Sequence, residues 1–277
     1  MTLNFRFAVI AVACLMLMPS EAYARKKRQM SKGQEVGIVA HRGFWNCEEA
    51  GYARNSIAAL RSAQEAGFWG SEFDVNMTAD SMLIVFHDSD VKGKKIEKHP
   101  YSEFKDFRLE NGEPIPTLDE YLDQGKKYPE TMLVYELKSH SSDAVEDTFV
   151  DLTISKLEEH GLLDPDRVMF ISFSFHMCER LAQKLPGFTV QYLNGDKNPE
   201  KVKEAGISGI DYNHHILSIN KNWVKEALKE NMSVNVWTVN KDIVMTNMIG
   251  LGVEYLTTDN PLDARAVIED LGLTEKK

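Results

Sequence analysis

Nine short apolar runs recur along the chain from residue 35 onward: "VGIVAH", "SEFDVN", "MLIVFH", "MLVYELK", "VMFISF", "FTVQYL", "SGIDY", "VNVWTV" and "VEYLTT". They are rich in β-branched and aromatic residues and continuous rather than alternating, the pattern of strands buried on both faces. Amphipathic segments such as "NSIAALRSAQEAG" and "SFHMCERLAQKLPG" lie between them. Asn55 and Ser174 are placed to cap helix starts, and Gly67, Gly161 and Gly187 stand near helix ends. Strands alternating with helices imply parallel βα units. One pair breaks the rule, because only "TADS" separates "SEFDVNM" from "MLIVFHD". A parallel crossover needs about a dozen residues, so these two strands form an antiparallel hairpin. With the returning strand set aside, eight remain, each followed by a helix. That is an α/β fold of the (β/α)8 TIM-barrel type, with a β-hairpin and a short insertion, about residues 89–116, after strand 2.

The hairpin also assembles chemistry. Glu72 and Asp74, two residues apart, share one face of their strand. A turn centred near Asp80 returns residues 86–88 opposite residues 72–74 and brings His87 beside both carboxylates. Functional groups of such a barrel gather at the C-terminal ends of its strands. Polar residues there are His41 and Arg42, Glu72 and Asp74, Glu136 and Lys138, Trp237, and the stretch Thr257 to Asn260. Glu136 and Lys138 have the same parity and face inward, because the helix side takes Leu133, Tyr135 and Leu137. Three inward carboxylates repel one another unless a cation sits among them. Oxygen ligands without cysteine select a hard divalent ion, Mg²⁺ or Ca²⁺. The competing reading pairs the same acids with Arg42 and Lys138 as structural salt bridges. Two histidines suit proton transfer near neutral pH, and Arg42 and Lys138 suit a phosphate.

Composition narrows the partners. The chain carries 32 basic and 42 acidic residues, net −10, which argues against nucleic acid or an anionic membrane as its main partner. "MTLNFR", "FAVIAVACLMLM" and "SEAYA" have the order of a signal peptide over residues 1–24, cut before Arg25, and the apolar run falls short of the roughly 20 residues that span a bilayer. The expectation is an exported protein, periplasmic or extracellular, without stable membrane insertion. Lipidation at Cys14 is disfavoured, since Ala11 matches a lipidation box poorly and "LMLM" continues the apolar run. Residues 25–34 read as a flexible basic tail and residues 35–277 as a single catalytic domain. Cys47 and Cys178 make no disulfide framework, and the pair His214 and His215 reads as structural. Nothing in the sequence fixes an oligomeric state.

The pieces "AHRG" (40–43), "EFDV…LIVFHD" (72–88), "PTLDEYL" (116–122), "YELK" (135–138), "VNVWTVN" (234–240) and "LTTDNP" (256–261) together resemble the glycerophosphodiester phosphodiesterase family, in its secreted bacterial type. The resemblance spans nearly the whole chain after the leader. It implies that Glu72, Asp74 and Glu136 bind one divalent metal and that His41 and His87 form the acid–base pair. Arg42 and Lys138 would contact the phosphate, and Trp237 would line the pocket that holds a small glycerophosphodiester. It further implies attack by a neighbouring substrate hydroxyl, a cyclic phosphodiester, and hydrolysis to glycerol phosphate and an alcohol. The chain departs from the family at "ARNS", where Arg54 replaces a usual glutamate, with Glu48 or Glu49 as alternative sources of the acid. The short insertion points to a substrate different from the common choline and ethanolamine esters. Two other functions fit less well. One is a phospholipase D-like or phosphoinositide-cleaving barrel, whose sphingomyelinase D-type members carry tryptophan where Leu262 follows "DNP". The other is a glycosidase or carbohydrate-binding barrel, a glycosidase needing two carboxylates about 5–9.5 Å apart and no metal.

Overall fold

The computed structural model describes residues 34–277. The leader over residues 1–24, with Cys14, and almost all of the basic tail lie outside the described residues. Strand β1 (Glu35–Ala40) is followed by helix α1 (Ile57–Glu65) and strand β2 (Gly70–Met77). Then come β3 (Leu83–Val85), the two-residue strands β4 (Asp90–Val91) and β5 (Lys94–Lys95), and helix α2 (Leu118–Gly125). Next are β6 (Met132–Leu137), α3 (Asp143–Glu159), β7 (Val168–Ser172), α4 (Phe175–Lys184), β8 (Val190–Tyr192) and α5 (Pro199–Glu204). Strand β9 (Gly209–Asn213) leads to two helices, α6 (His214–Ile219) and α7 (Asn222–Lys229), where the sequence suggested one. The chain ends with β10 (Ser233–Trp237), α8 (Asp242–Ile249), β11 (Tyr255–Thr258), α9 (Pro261–Leu271) and β12 (Thr274–Glu275).

Eight strands pair in parallel in the order β1, β2, β6, β7, β8, β9, β10, β11, and β11 pairs back onto β1. The barrel is closed, as the strand count required. Strand β3 runs antiparallel to β2 with Val75 opposite Val85 and Met77 opposite Leu83, a register symmetric about residue 80. Thr78 fixes the turn: its amide donates to the Met82 carbonyl at 2.9 Å and its hydroxyl to Asp80 at 2.5 Å. The pairing runs on past β3, with the Phe86 amide donating to the Asp74 carbonyl at 2.9 Å. Strand β12, absent from the sequence reading, adds beside the lower end of β1.

Inward side chains fill the barrel in layers. At the floor the Trp69 and Tyr255 rings lie 4.2 Å apart, and the Lys276 ammonium bonds the Tyr255 hydroxyl at 2.7 Å. Above them Val39, Val134, Met169, Ile171 and Leu193 form a buried apolar plug. The insertion folds on a small core of its own, in which Val91, Ile96, Phe104, Leu109 and Ile115 pack on Ile84 and Ala53. Lower in the barrel buried polar side chains are engaged with one another, as Gln191 is with Ser233 at 2.8 Å, and the cavity opens only at the top.

One cap is corrected. Ser56, not Asn55, caps α1, its hydroxyl accepting from the Ala59 amide at 2.9 Å. Asn55 takes a left-handed conformation (φ 56°) and turns its side chain to the barrel mouth. Ser174 caps α4 as the sequence indicated.

Candidate active site

Glu72 and Asp74 on β2 and Glu136 on β6 converge at the top of the barrel, Asp74 and Glu136 being register neighbours. All three are buried, and one carboxylate oxygen from each lies within 4.8 Å of the others. Such a cluster is costly, because desolvation and mutual repulsion both oppose ionisation. Burial, then repulsion from Asp74 and Glu136, raises the Glu72 pKa well above the ordinary carboxylate value. Burial and Asp74 raise Glu136 likewise. Asp74 escapes: burial would raise it, but Lys138, His87, Arg42 and a hydrogen bond from Asn55 hold it at about 2.

Two cations compensate in part. The Lys138 ammonium lies 3.1 Å from Asp74 and 2.7 Å from Glu136, and the Arg42 Nε lies 3.5 Å from Asp74. The pairings of the salt-bridge reading are therefore present. They do not complete the site, because the buried Glu72 Oε1 has no hydrogen-bond partner. Three carboxylates outnumber two cations, and an all-oxygen set with one orphaned oxygen fits a hard divalent cation. Glu72, Asp74 and Glu136 are the residues that would hold it.

Local strain aims these groups. Arg42 is left-handed (φ 56°), so its amide donates to Glu72 Oε2 at 2.7 Å. Gly43 follows at φ +77°, where an added Cβ would lie 2.7 Å from the Ala59 backbone, so α1 closes on "HRG" only through glycine. Asn55 clamps Asp74 from two sides, its amide nitrogen donating to Oδ2 at 2.8 Å and its carbonyl accepting from the Asp74 amide at 3.1 Å.

The two histidines come from different elements. His41 follows β1, and its Nδ1 bonds Asp259 at 2.8 Å, leaving Nε2 for the cavity. Asp259 also accepts from Trp45 Nε1 at 3.0 Å and Asn240 Nδ2 at 2.6 Å. Burial would raise the Asp259 pKa, but these bonds, that of His41 foremost, hold it at about 2. His87 ends the returning strand, with Nδ1 bonded to Asp88 at 2.7 Å. Burial lowers the His87 pKa; Asp74 opposes the shift, and Lys138 and Arg42 add to it.

A cavity of about 240 Å³ opens over the cluster, lined by His41, Arg42, Glu72, His87, Glu136, Lys138 and Trp237, with Asp74 buried among them. All eight residues singled out from the sequence therefore meet. Two others, Asn55 and Asp211, were given no place in the site from the sequence, and Asp259 stood there only within the strand-end stretch Thr257 to Asn260, without a role. Asp259 orients His41, Asn55 clamps Asp74, and Asp211 lines the cavity with an unpartnered Oδ1, its pKa raised by burial and by Glu136. The acid inside "SGIDY" was the available signal for Asp211, since a charge within an apolar strand costs desolvation unless it has a partner. Trp237 is pinned through Nε1 to the Asp211 carbonyl at 2.9 Å.

Glu48 and Glu49 are exposed and line neither this cavity nor the one beside it, so they are not the missing acid. The carboxylate at the start of α1 is Glu113 of the insertion, which accepts from the Ile57 amide at 3.0 Å. Arg54 instead lies over the Trp45 ring at 4.1 Å. Cys47 and Cys178 are free thiols, and His214 and His215 stack on each other away from the cavity lining.

The family model for glycerophosphoryl diester phosphodiesterases matches residues 41–263. A glycerophosphodiester phosphodiesterase of Bacillus altitudinis is 27% identical over 252 residues, covering 84% of this chain and 98% of the relative. The crystal structure of a glycerophosphodiester phosphodiesterase from Parabacteroides distasonis superposes with a TM-score of 0.84 at 38% identity, covering 87% of this chain and all of that one. An Oleispira antarctica phosphodiesterase, solved with the product sn-glycerol-3-phosphate, shares the fold at a TM-score of 0.71 and 21% identity, over 84% of this chain and 96% of that one.

The Asp259 network has a pH signature. Its folded pKa of about 2 lies below the ordinary 3.8, so its contribution is complete above about pH 4 and is lost as pH falls towards 2. In urea unfolding, the stability difference between wild type and Asp259→Asn should shrink by roughly 1 kcal/mol between pH 5 and pH 3. A difference that does not change with pH would show that these bonds do not hold Asp259 ionised.

Proposed function

Because the chain belongs to the glycerophosphoryl diester phosphodiesterase family and is a glycerophosphodiester phosphodiesterase, we propose that it hydrolyses small glycerophosphodiesters to glycerol phosphate and an alcohol, with one divalent cation and two histidines. The observation that carries this reading is one cavity holding three clustered buried carboxylates and two imidazoles, each imidazole oriented through Nδ1 by an aspartate. A cation held by Glu72, Asp74 and Glu136 would neutralise charge on the phosphoryl oxygens. Arg42 and Lys138, already fixed at the cluster, supply further positive charge to the same oxygens.

His41 is the base. Its Nε2 takes the proton from the substrate hydroxyl next to the ester, and ionised Asp259 stabilises the imidazolium that forms. His87 is the acid, because it lies at the open side of the cavity, 40% exposed, where a leaving alcohol departs. The attack closes a cyclic phosphodiester, which water then opens with the two roles exchanged. Trp237, pinned in place, gives the glycerol carbons a flat apolar wall. Three carboxylates gathered on one side of the cavity with two imidazoles, rather than two acids flanking it, speak against a glycosidase pair.

One observation favours a phospholipase D-like second reading. Of the exposed large hydrophobic residues, Tyr52 precedes α1 and Ile243 and Leu262 stand in the first turns of α8 and α9, on the side that carries the cavity, while Ile219 ends α6. Hydrolysis of intact vesicle lipid would select that reading over soluble glycerophosphodiesters.

The leader supports export. Protein from its native host should begin at Arg25 by intact mass, and a diacylated Cys14 as first residue would contradict this. The histidine roles predict an asymmetry. A nitrophenyl ester leaves without a proton, so His87→Ala should lose cleavage of a natural ester yet retain much of its rate on an activated one. His41→Ala should be poor on both, provided the activated ester keeps the neighbouring hydroxyl. The opposite pattern would swap the roles, and full natural-ester activity in both variants would make the histidines structural.

A further inference from the structure

Beside the catalytic cavity lies a second one, of about 380 Å³, which shares Arg42 and His87 with it. Phe86, Phe107 and Leu109 form its apolar wall, and Arg54 and Arg108 stand on its rim. Both guanidinium groups are held in place. Arg54 rests on the Trp45 ring at 4.1 Å, and Arg108 Nη1 donates to the Lys105 and Phe107 carbonyls, each at 2.9 Å. Among the described residues neither has a carboxylate within ion-pair distance. Lys92 adds charge nearby, its ammonium 5.3 Å from the Phe107 ring.

Two acids line the same cavity. Asp88 is engaged by His87, and Glu110 is exposed at the edge. Arg42 is taken up by Asp74 and Asp88 by His87, which leaves Arg54 and Arg108 against Glu110, a positive balance in a protein whose net charge is −10. The shared wall is the residue assigned to protonate the leaving oxygen. A phosphodiester seated at the carboxylate cluster therefore sends its leaving alcohol past His87 into the second cavity. That space is large enough for a leaving group of glycerol phosphate size.

Resting on the phosphodiesterase reading, we propose that this second cavity is the leaving-group subsite and selects alcohols bearing their own anionic group, a phosphate or a carboxylate. Arg54 and Arg108 are its specificity-determining residues. Arg54, fixed on the Trp45 ring, presents a positive charge to whatever head group enters this cavity, which disfavours choline or ethanolamine.

The test measures kcat/KM for four esters at low and high salt. They are glycerophosphoglycerol with a terminal phosphomonoester, glycerophosphoserine, unmodified glycerophosphoglycerol, and glycerophosphocholine. The proposal expects one or both anionic esters to exceed the neutral one by about tenfold at low salt, less in 0.5 M salt. The phosphate and carboxylate arms identify which anion is preferred. Arg54→Gln with Arg108→Gln should erase the advantage, and Arg108→Glu, which leaves the Trp45 contact intact, should shift preference towards the choline ester. Cleavage of the neutral and choline esters at equal or higher efficiency, unchanged in these variants, would overturn the subsite and leave the phosphodiesterase reading standing. Cleavage of none of the four would overturn both.

Discussion

Three carboxylates buried within 4.8 Å of one another are the constraint around which the top of this barrel is organised. Desolvation and repulsion would expel them from a barrel mouth that had no other purpose. The chain answers with Lys138 and Arg42, with the two-sided Asn55 clamp on Asp74, and with a strained backbone at Arg42 that aims an amide at Glu72. Each device acts on a specific oxygen, and one buried oxygen of Glu72 is still left without a partner. Positive φ at Arg42 and Asn55, both non-glycine, marks strain held where the chemistry is.

The hairpin does two jobs. It returns His87 to the carboxylates without using a barrel strand, and it launches the insertion whose small core supports Phe107 and Arg108 beside the cavity. One local turn, fixed by Thr78, therefore couples the acid–base residue to the wall of the adjoining space. The opposite histidine is held differently, by Asp259 across the barrel seam between β1 and β11. One imidazole depends on a neighbour in sequence, the other on closure of the whole barrel.

Much of this was legible in the sequence because it follows from period and spacing. Four residues cannot carry a crossover, so the hairpin was forced, and parity placed Glu72 with Asp74 and Glu136 with Lys138. What stayed hidden depends on contacts that spacing does not encode. Asn55 and Ser56 are both good caps in sequence, and only the proximity of Asp74 decides that Asn55 is diverted and Ser56 caps α1. Asp259 lies 218 residues from His41, and nothing local announces their bond. Asp211 was readable as a charge inside an apolar strand but sat in too short a run to draw notice. Strand β12 pairs through backbone at the barrel floor and leaves almost no trace in two residues.

The central claim is that Glu72, Asp74 and Glu136 form a single cation site. Calorimetric titration of chelator-stripped protein with Mg²⁺ and with Ca²⁺, beside Glu72→Gln and Glu136→Gln, tests it most directly. The account predicts one saturable site for at least one of the ions in the wild type, weakened at least tenfold in each variant while both variants stay folded. Absence of binding by either ion, or affinity unchanged in both variants, would contradict it.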